Sequence, residues 1–211
     1  MSQKKKTNQQ TDKIRNRVAT RARLIEAVGK LLAEQGFRAI GVNAIAREAG
    51  VDKVLIYRYF GGLPGLIKSF SHEGDFWPTM DEVVGGDFEK FQALSRDEKI
   101  THMVINYLNA IRNRPLTQEI LAWEMVEQNE LTKELEHVRE HRTMQIIEKL
   151  FQPGEFNQDV EAVFALVGAA INYLVIRSRR ATIFSGIDLQ SAEGWEKLEN
   201  TIISVMKNAL L

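Results

Sequence analysis

The chain contains 211 residues, with 28 Lys and Arg against 28 Asp and Glu, so its formal net charge is zero. The balance is uneven, because residues 1–70 hold 14 basic and 5 acidic side chains whereas residues 71–211 hold 14 and 23. Such asymmetry indicates that the basic part contacts nucleic acid or another anionic surface. The absence of cysteine excludes disulfides, thiolate zinc sites and cysteine nucleophiles, and is typical of a reducing cytosol.

The sequence offers no evident export or membrane signal. Residues 1–13 are polar and basic, and no apolar stretch follows them as a secretory signal would require. The longest apolar run, 162–176, is shorter than the roughly 18–20 residues that span a bilayer. We therefore expect a cytoplasmic protein with no membrane partner, in which this run forms a buried or interface helix.

Helical periodicity covers most of the chain and strand signals are scarce, which predicts an all-α fold of about nine helices. Residues 1–11 lack apolar content and are predicted to form a disordered basic arm. A first helix is predicted over 12–35, ended by Gly36. Two short helices follow at 42–49 and 53–59.

Local signals define the later helices. Pro64 suits the first turn of a helix that reaches Glu73, and Ser95 with Glu98 forms a capping box. The poorly periodic stretch 75–94 is interpreted as a long connection. The remaining helices are predicted at 96–112, 116–128, 131–151, ended by Pro153-Gly154, 158–180 and 191–210.

The most informative segment is residues 39–60. Its apolar positions can form one inner face across two short helices, while Gly50 allows the sharp turn between them and Asp52 caps the second helix. The side chains left outside are basic, amide or aromatic. Such a helix-turn-helix places the start of its second helix in the major groove of DNA, with the first helix and the flanks on phosphates.

At these residues the chain resembles the tetracycline-repressor-like (TetR) family of bacterial regulators. The resemblance spans about Arg21 to Phe70 and rests on Gln35-Gly36-Phe37, Ile45-Ala46, Ala49-Gly50-Val51, Tyr57-Arg58-Tyr59-Phe60 and Leu66 at their spacing. It implies an N-terminal three-helix DNA-binding domain at 12–62 and a C-terminal helical domain for ligand binding and dimerisation at 63–211.

The resemblance also implies roles for single residues. Asn43 would read a base edge, with adenine as its best partner, and Lys53 and Arg58 would contact guanine or phosphate. Val54 and Leu55 would pack on thymine methyl groups, whereas Tyr57 and Tyr59 would donate hydroxyls to phosphates. Further backbone contacts, or minor-groove contacts, would come from the arm and from the basic residues behind it: Lys4, Lys5, Lys6, Arg15, Arg17, Arg21 and Arg23.

Two positions depart from the family pattern. Gly41 stands where the second helix usually has a polar N-cap. Leu63 stands where a lysine is common shortly after the aromatic pair Tyr59-Phe60. The second departure removes one expected phosphate contact.

The C-terminal part offers a dimer surface and a ligand cavity. Ala165, Gly168, Ala169 and Ala170 make one side of the 158–180 helix small, which suits either a central core helix or a close contact between subunits. The family resemblance implies a four-helix homodimer interface from the last two helices of each subunit. Residues that could line an effector cavity, or equally form plain core, are Met103, Tyr107, Trp123, Met125, Met144, Phe164 and Tyr173.

The resulting hypothesis is a homodimeric, ligand-responsive repressor of a palindromic operator, with no catalytic residues, metal or cofactor. One alternative is a DNA-binding protein that no effector controls. The other is a metal-dependent hydrolase, because His137-Val138-Arg139-Glu140-His141 matches the H-x-x-E-H spacing of zinc peptidases. A solvated charged helix face explains the same residues.

Overall fold

The computed structural model describes residues 2–151 and 160–210, with side chains from Arg15 onward apart from that of Val160. Within these ranges almost all regular structure is helical, so the predicted all-α fold is confirmed. The helices are α1 Ser2–Gln35, α2 Val42–Glu48, α3 Val54–Phe60, α4 Leu63–Glu73, α5 Met80–Val84, α6 Phe88–Ala93, α7 Arg96–Arg112, α8 Pro115–Glu124, α9 Glu130–Leu150, α10 Val160–Ser178 and α11 Ala192–Ala209.

The N-terminal arm differs from the prediction, because the first helix begins at Ser2 and not near Asp12. Low apolar content predicted disorder for residues 1–11. Lys and Gln, however, are good helix formers, and no proline interrupts the segment. Once the packed part of α1 is formed, each added residue contributes one hydrogen bond without a new nucleation cost. The basic residues of the arm therefore continue the helix.

The predicted connection over 75–94 also needs correction, since it contains α5 and α6. Both helices are too short for a periodic pattern, but each has a polar cap. Thr79 and Glu82 form a reciprocal capping box at α5, and the Asp87 carboxylate accepts a hydrogen bond from the Lys90 N–H at α6. Both caps are formed by residues three positions apart, so they are local signals in the sequence.

Most other helix boundaries lie within a few residues of the prediction. The helix at 96–112 and its Ser95 capping box are confirmed. The predicted start at 158 and the Pro153-Gly154 stop lie outside the described residues. A two-stranded hairpin between α10 and α11, Ile183–Phe184 with Ile187–Asp188, was not predicted.

Contacts divide the chain into two compact units. Unit 1 comprises Met1–Phe76 and Glu127–Val138, and unit 2 comprises Trp77–Val126 and Arg139–Leu211. In unit 1, α1 packs against α2 and α4, and α3 packs against α4. The predicted domain boundary between residues 62 and 63 therefore falls inside this unit. Its fully buried side chains include Leu24, Val28, Leu32, Ile45, Ile56, Leu66 and Phe70.

Unit 2 is organised around α7, which packs against α5, α8, α10 and α11. The α7 side chains Ile100, Leu108 and Ile111 are fully buried. A buried tryptophan, Trp195, donates its indole N–H to the Leu189 carbonyl at 2.8 Å, and the Arg112 guanidinium lies 4.4 Å from the centre of its ring. These contacts hold the start of α11 within the unit.

Helix α10 is apolar but poorly covered. By length and composition its segment Glu161–Ser178, with a mean hydropathy of 1.4, is long and apolar enough to cross a membrane, but core helices pass the same test. Only 17% of that segment is buried, and Leu166 is 73% exposed. Within the described chain, α10 is therefore not the buried core helix that was one of its two predicted roles.

Glu82 makes unit 2 sensitive to acid. Arg114 holds it with hydrogen bonds to both carboxylate oxygens, at 2.6 and 2.9 Å, and Thr79 adds its N–H and hydroxyl. Partial burial acts to raise the pKa of Glu82, but these hydrogen bonds outweigh it and hold the pKa below the ordinary value. The ion pair is therefore fully formed at neutral pH.

We expect Glu82→Gln to lower the urea midpoint of unfolding at pH 7, with the difference from wild type shrinking towards pH 3. Because the folded-state pKa is depressed, its contribution is present above the unfolded pKa of about 4.5 and is lost as the pH falls through the folded pKa. Glu89→Gln, at an exposed position of α6, is the matched control. An equal gap between the variant and wild type at pH 7 and pH 3 would show that the charge of Glu82 is unimportant.

Candidate nucleic-acid interface

The turn between α2 and α3 is fixed by local hydrogen bonds. Gly50 adopts a left-handed conformation with φ of 63°, and the Val51 N–H donates to the Ala46 carbonyl at 3.0 Å. The Asp52 carboxylate accepts from the Val54 N–H at 2.8 Å. The N-cap of α3, however, is Lys53, one residue after the predicted Asp52, and no side chain caps this helix start from the N-cap position. A side chain at position 50 would be strained in this conformation.

Apolar packing sets the orientation of the two short helices. Ile45 and Ile56 are fully buried, and Ala46 is only 5% exposed. Lys30 on α1 pairs with Glu48 at the end of α2 at 2.5 Å. The recognition surface of α2 and α3 is thus supported by α1, which packs against α2, and by α4, which packs against α1 and α3.

The seven predicted DNA-contacting residues lie on that surface or at its edge. Asn43, Lys53 and Arg58 are exposed, and the large apolar side chains of Val54 and Tyr57 are 60% and 57% exposed. Leu55 and Tyr59 are half-buried. Val54, Tyr57 and Arg58 share one helix face through their three- and four-residue spacing. This face combines positive charge with apolar surface that the described chain leaves uncovered.

Two arginines of α1 stack on the aromatic pair at the end of α3. The Arg17 guanidinium lies 5.5 Å from the centre of the Tyr59 ring, and that of Arg21 lies 5.2 Å from the centre of the Phe60 ring. The four-residue spacing of Arg17 and Arg21 places both side chains on one face of α1, which the sequence alone indicates. The sequence does not indicate their aromatic partners on α3. The Tyr59 ring is therefore held in place by its contact with the Arg17 guanidinium.

Arg21 is also committed to a contact within unit 1. It donates hydrogen bonds to the Glu73 carboxylate and, at 3.2 Å, to the Ser69 hydroxyl. The bond from Arg21 holds the pKa of Glu73 below its ordinary value. Arg21 thus joins α1 to α4, a structural role that the family resemblance did not suggest.

The structure shows the surroundings of Gly41 and Leu63, the two positions that depart from the family pattern. Gly41 occupies the N-cap of α2 in an extended conformation, and no side chain caps this helix start. Leu63 is the first residue of α4 and is half-buried. An apolar side chain therefore occupies the position of the expected lysine.

A segment remote in sequence completes unit 1. Glu134 on α9 lies 3.3 Å from both the Ser71 hydroxyl and His72 Nε2 at the end of α4. The contact spans 63 residues of sequence in the case of Ser71. Helix α9 then continues into unit 2 from Arg139 onward, so it belongs to both units.

The seven predicted effector-contacting residues, all in unit 2, do not converge on one cavity. Met103 is buried, and the Tyr107 hydroxyl donates to Asn172 Oδ1 at 3.0 Å, with burial raising the pKa of this phenol. Phe164 packs on Phe151 with 5.7 Å between ring centres, and Met144 is exposed. The other three, Trp123, Met125 and Tyr173, line a cleft of about 390 Å³.

The H-x-x-E-H residues lie on α9, and His137, Glu140 and His141 are all exposed. Glu140 accepts a hydrogen bond from Arg139 Nε at 3.3 Å. In the part of the chain that the structure describes, no group of three or more His, Asp or Glu residues could hold a metal ion.

An exposed basic and aromatic second helix on a packed helix-turn-helix is the architecture of a DNA-binding transcriptional regulator. Residues 24–68 match the family model of bacterial regulatory proteins of the tetR family. The chain is therefore similar to this family over its helix-turn-helix segment. No curated protein sequence matches it significantly.

Solved structures share its fold along most of the chain. A TetR-family regulator from Marinobacter aquaeolei VT8 has 18% identity and a TM-score of 0.55, covering 90% of this chain and 96% of its own. FadR from Bacillus subtilis, solved with stearoyl-CoA, has 18% identity and a TM-score of 0.62, covering 88% and 96%. A Haemophilus influenzae Rd regulator has 15% identity and a TM-score of 0.58, covering 90% and 96%.

Proposed function

We propose that the protein is a cytoplasmic repressor that binds a palindromic operator as a homodimer and is released by a small-molecule effector. The observation that carries this proposal is the exposed face of α3, where Lys53, Val54, Tyr57 and Arg58 stand uncovered on a packed scaffold. Basic side chains there would neutralise phosphates, and apolar ones would meet thymine methyl groups.

The individual roles follow from position and chemistry. Asn43 on α2 reads an adenine edge, while Lys53 and Arg58 contact guanine or phosphate. Val54 and Leu55 pack on thymine. Tyr57 and Tyr59 donate hydroxyls to phosphates, and the Arg17 contact restricts the Tyr59 ring, which lowers the entropy lost on binding.

Dimerisation would use α10 and α11. The poor coverage of α10 lies in its first half, where none of residues 161–170 is buried, and it leaves apolar surface around Leu166 that a second subunit would bury. Two-fold symmetry would then place two recognition helices one DNA turn apart, about 34–36 Å, on a palindromic site.

Effector control requires unit 2 to influence unit 1. Helix α9 is shared by both units, and its first part contacts the end of α4 through Glu134. An effector that favours one arrangement of α9 would thereby alter α4 and the spacing of the recognition helices. Coupling of this kind is typically about 1–3 kcal/mol. The Bacillus subtilis relative was solved with stearoyl-CoA, which makes an acyl thioester one compound to test here.

Selection of bound DNA from random sequence, with and without cell extract, tests the proposal as a whole. We expect a palindromic motif with half-sites about one turn apart, and loss of bound DNA when extract is added. A motif that extract never releases would favour a DNA-binding protein without an effector. No enriched motif at low salt would contradict the proposed function.

Asn43→Ala and Tyr59→Phe should weaken DNA binding in different ways. We expect Asn43→Ala to cost about 1–3 kcal/mol on the preferred site and to relax specificity at particular bases. Tyr59→Phe removes one hydroxyl and keeps the ring under Arg17, so it should weaken binding similarly on all sequences.

Fluorescence anisotropy with the selected operator and single-base variants measures both effects. Asn109→Ala is a control of the same chemistry as Asn43→Ala at an exposed position of unit 2. If Asn43→Ala lowers affinity equally for every base variant, Asn43 does not read the sequence directly.

A further inference from the structure

A cleft lies between the C-terminal ends of α8 and α10 in unit 2. Its volume of about 390 Å³ lies within the usual range for small-molecule sites. Its lining residues are Glu119, Ala122, Trp123, Met125, Val126, Tyr173, Ile176, Arg177, Arg179 and Arg180.

One wall of the cleft is apolar and uncovered. Met125 and Val126 are 58% and 79% exposed, and Tyr173 is held edge-on against Phe184 with 5.6 Å between ring centres. Trp123 and Ile176 add half-buried surface beside them. Large apolar side chains at this exposure, gathered on one concave surface, are typical of a binding site.

The lining of the cleft also carries positive charge. Arg179 is paired with Glu119 at 2.8 Å, so the charges of these two residues compensate each other. Within the described residues, the side chains of Arg177 and Arg180 make no hydrogen bond or ion pair, and both are exposed. The cleft therefore has an excess of two positive charges next to its apolar wall.

The position at a helix end does not by itself explain these arginines. Positive side chains do favour the C-terminal end of a helix dipole. Here, however, the Gln190 amide already donates to the Ser178 carbonyl at 2.6 Å and to the Ala181 carbonyl at 3.4 Å. Arg177 and Arg180 remain available to a ligand, for which a guanidinium offers two-point hydrogen bonding to a carboxylate or phosphate.

We propose that this cleft binds an amphipathic organic anion, with its carboxylate or phosphate head on Arg177 and Arg180 and its apolar body against Trp123, Met125 and Val126. The proposal rests on the proposed function and specifies the chemical class and the location of the effector. A neutral apolar molecule would leave the charges of Arg177 and Arg180 without an anionic partner. A small inorganic anion would leave the apolar residues of the cleft exposed to solvent.

Calorimetric titration of the full-length protein with decanoate, decanol and acetate tests the proposal. Decanoate should bind at least about tenfold more tightly than decanol, which corresponds to about 1.4 kcal/mol, and acetate should bind far more weakly than both. Arg177→Gln and Arg180→Gln should each weaken decanoate binding about tenfold and leave decanol binding unchanged. Arg180→Lys, which keeps the charge, should retain more affinity than Arg180→Gln.

Met125→Ala should weaken decanoate and decanol alike, because it removes part of the apolar wall. Lys149→Gln removes a positive charge from an exposed position of α9 in the same unit and should change neither affinity. Equal affinities for decanoate and decanol, absence of decanoate binding, or full affinity in both arginine variants would overturn the proposal.

Parallel DNA-binding measurements separate this proposal from the proposed function. If decanoate binds as expected but leaves DNA affinity unchanged, the cleft assignment stands and effector control by this class fails. If another metabolite releases DNA equally well from wild type and from both arginine variants, effector control stands and the cleft assignment is overturned.

Discussion

Replacing Lys53 and Arg58 together by glutamate is expected to reduce operator affinity by at least about a hundredfold. Both side chains are exposed on the recognition surface, and a bidentate base contact contributes about 1–3 kcal/mol. A dimer would lose two such pairs and place four carboxylates against phosphates. Each lost phosphate contact should also lower the slope of log affinity against log salt by about 0.9.

The matched control is Lys68→Glu with Lys133→Glu. These two lysines are also exposed in unit 1, on α4 and α9, so the control has the same change in net charge. It should lose only the general electrostatic attraction to DNA, which is long-range and weakened by salt. Equal losses for the two double variants across the salt range would mean that α3 makes no specific contact.

If the proposed dimer forms through α10, replacing Leu166 by arginine is expected to convert it into monomers and to weaken operator binding by about 10²–10⁴-fold. Leu166 is 73% exposed on α10, so within one chain an arginine there costs little. In a dimer interface it would bury an unpaired charge, which is strongly unfavourable. Loss of the second recognition helix removes the gain in effective concentration from linking two half-sites.

Light scattering after size-exclusion chromatography gives the mass, and anisotropy on whole and half operators gives the affinity. Half-site affinity should be the same in Leu166→Arg and wild type, because unit 1 is unchanged. Phe88→Arg, at another exposed apolar position of unit 2, should remain dimeric. A dimeric Leu166→Arg protein would place the interface elsewhere.

These two predictions depend on different levels of structure. The contacts of α3 follow from a short segment whose turn, cap and apolar face are all local. Coverage of α10, by contrast, depends on how much of its surface the rest of unit 2 already buries. Composition described α10 as apolar but did not distinguish a core helix from an uncovered one.

Local signals explain the successful predictions. Gly50 and Asp52 form hydrogen bonds with residues two to four positions away, and Ser95 bonds Glu98 within one turn. The caps of α5 and α6 are equally local. Neither helix was predicted, because five or six residues are too few to establish a helical period of apolar positions.

Contacts between distant segments explain the remaining differences. Arg21 meets Glu73 across 52 residues, and Ser71 meets Glu134 across 63. Each of these charged or polar residues is equally compatible with solvent exposure when the sequence is considered alone. Their partners decide that Arg21 joins helices, and that part of α9 belongs with the DNA-binding helices.

The sequence by itself determined the helical class, the helix-turn-helix and the chemistry of its outer face, because spacing, caps and side-chain type act within a few residues. Only the tertiary structure decided which arginines are paired, which of the predicted effector-contacting residues meet at one cleft, and that α10 is left open. Burial and pairing are properties of segments brought together by folding, so no local pattern encodes them.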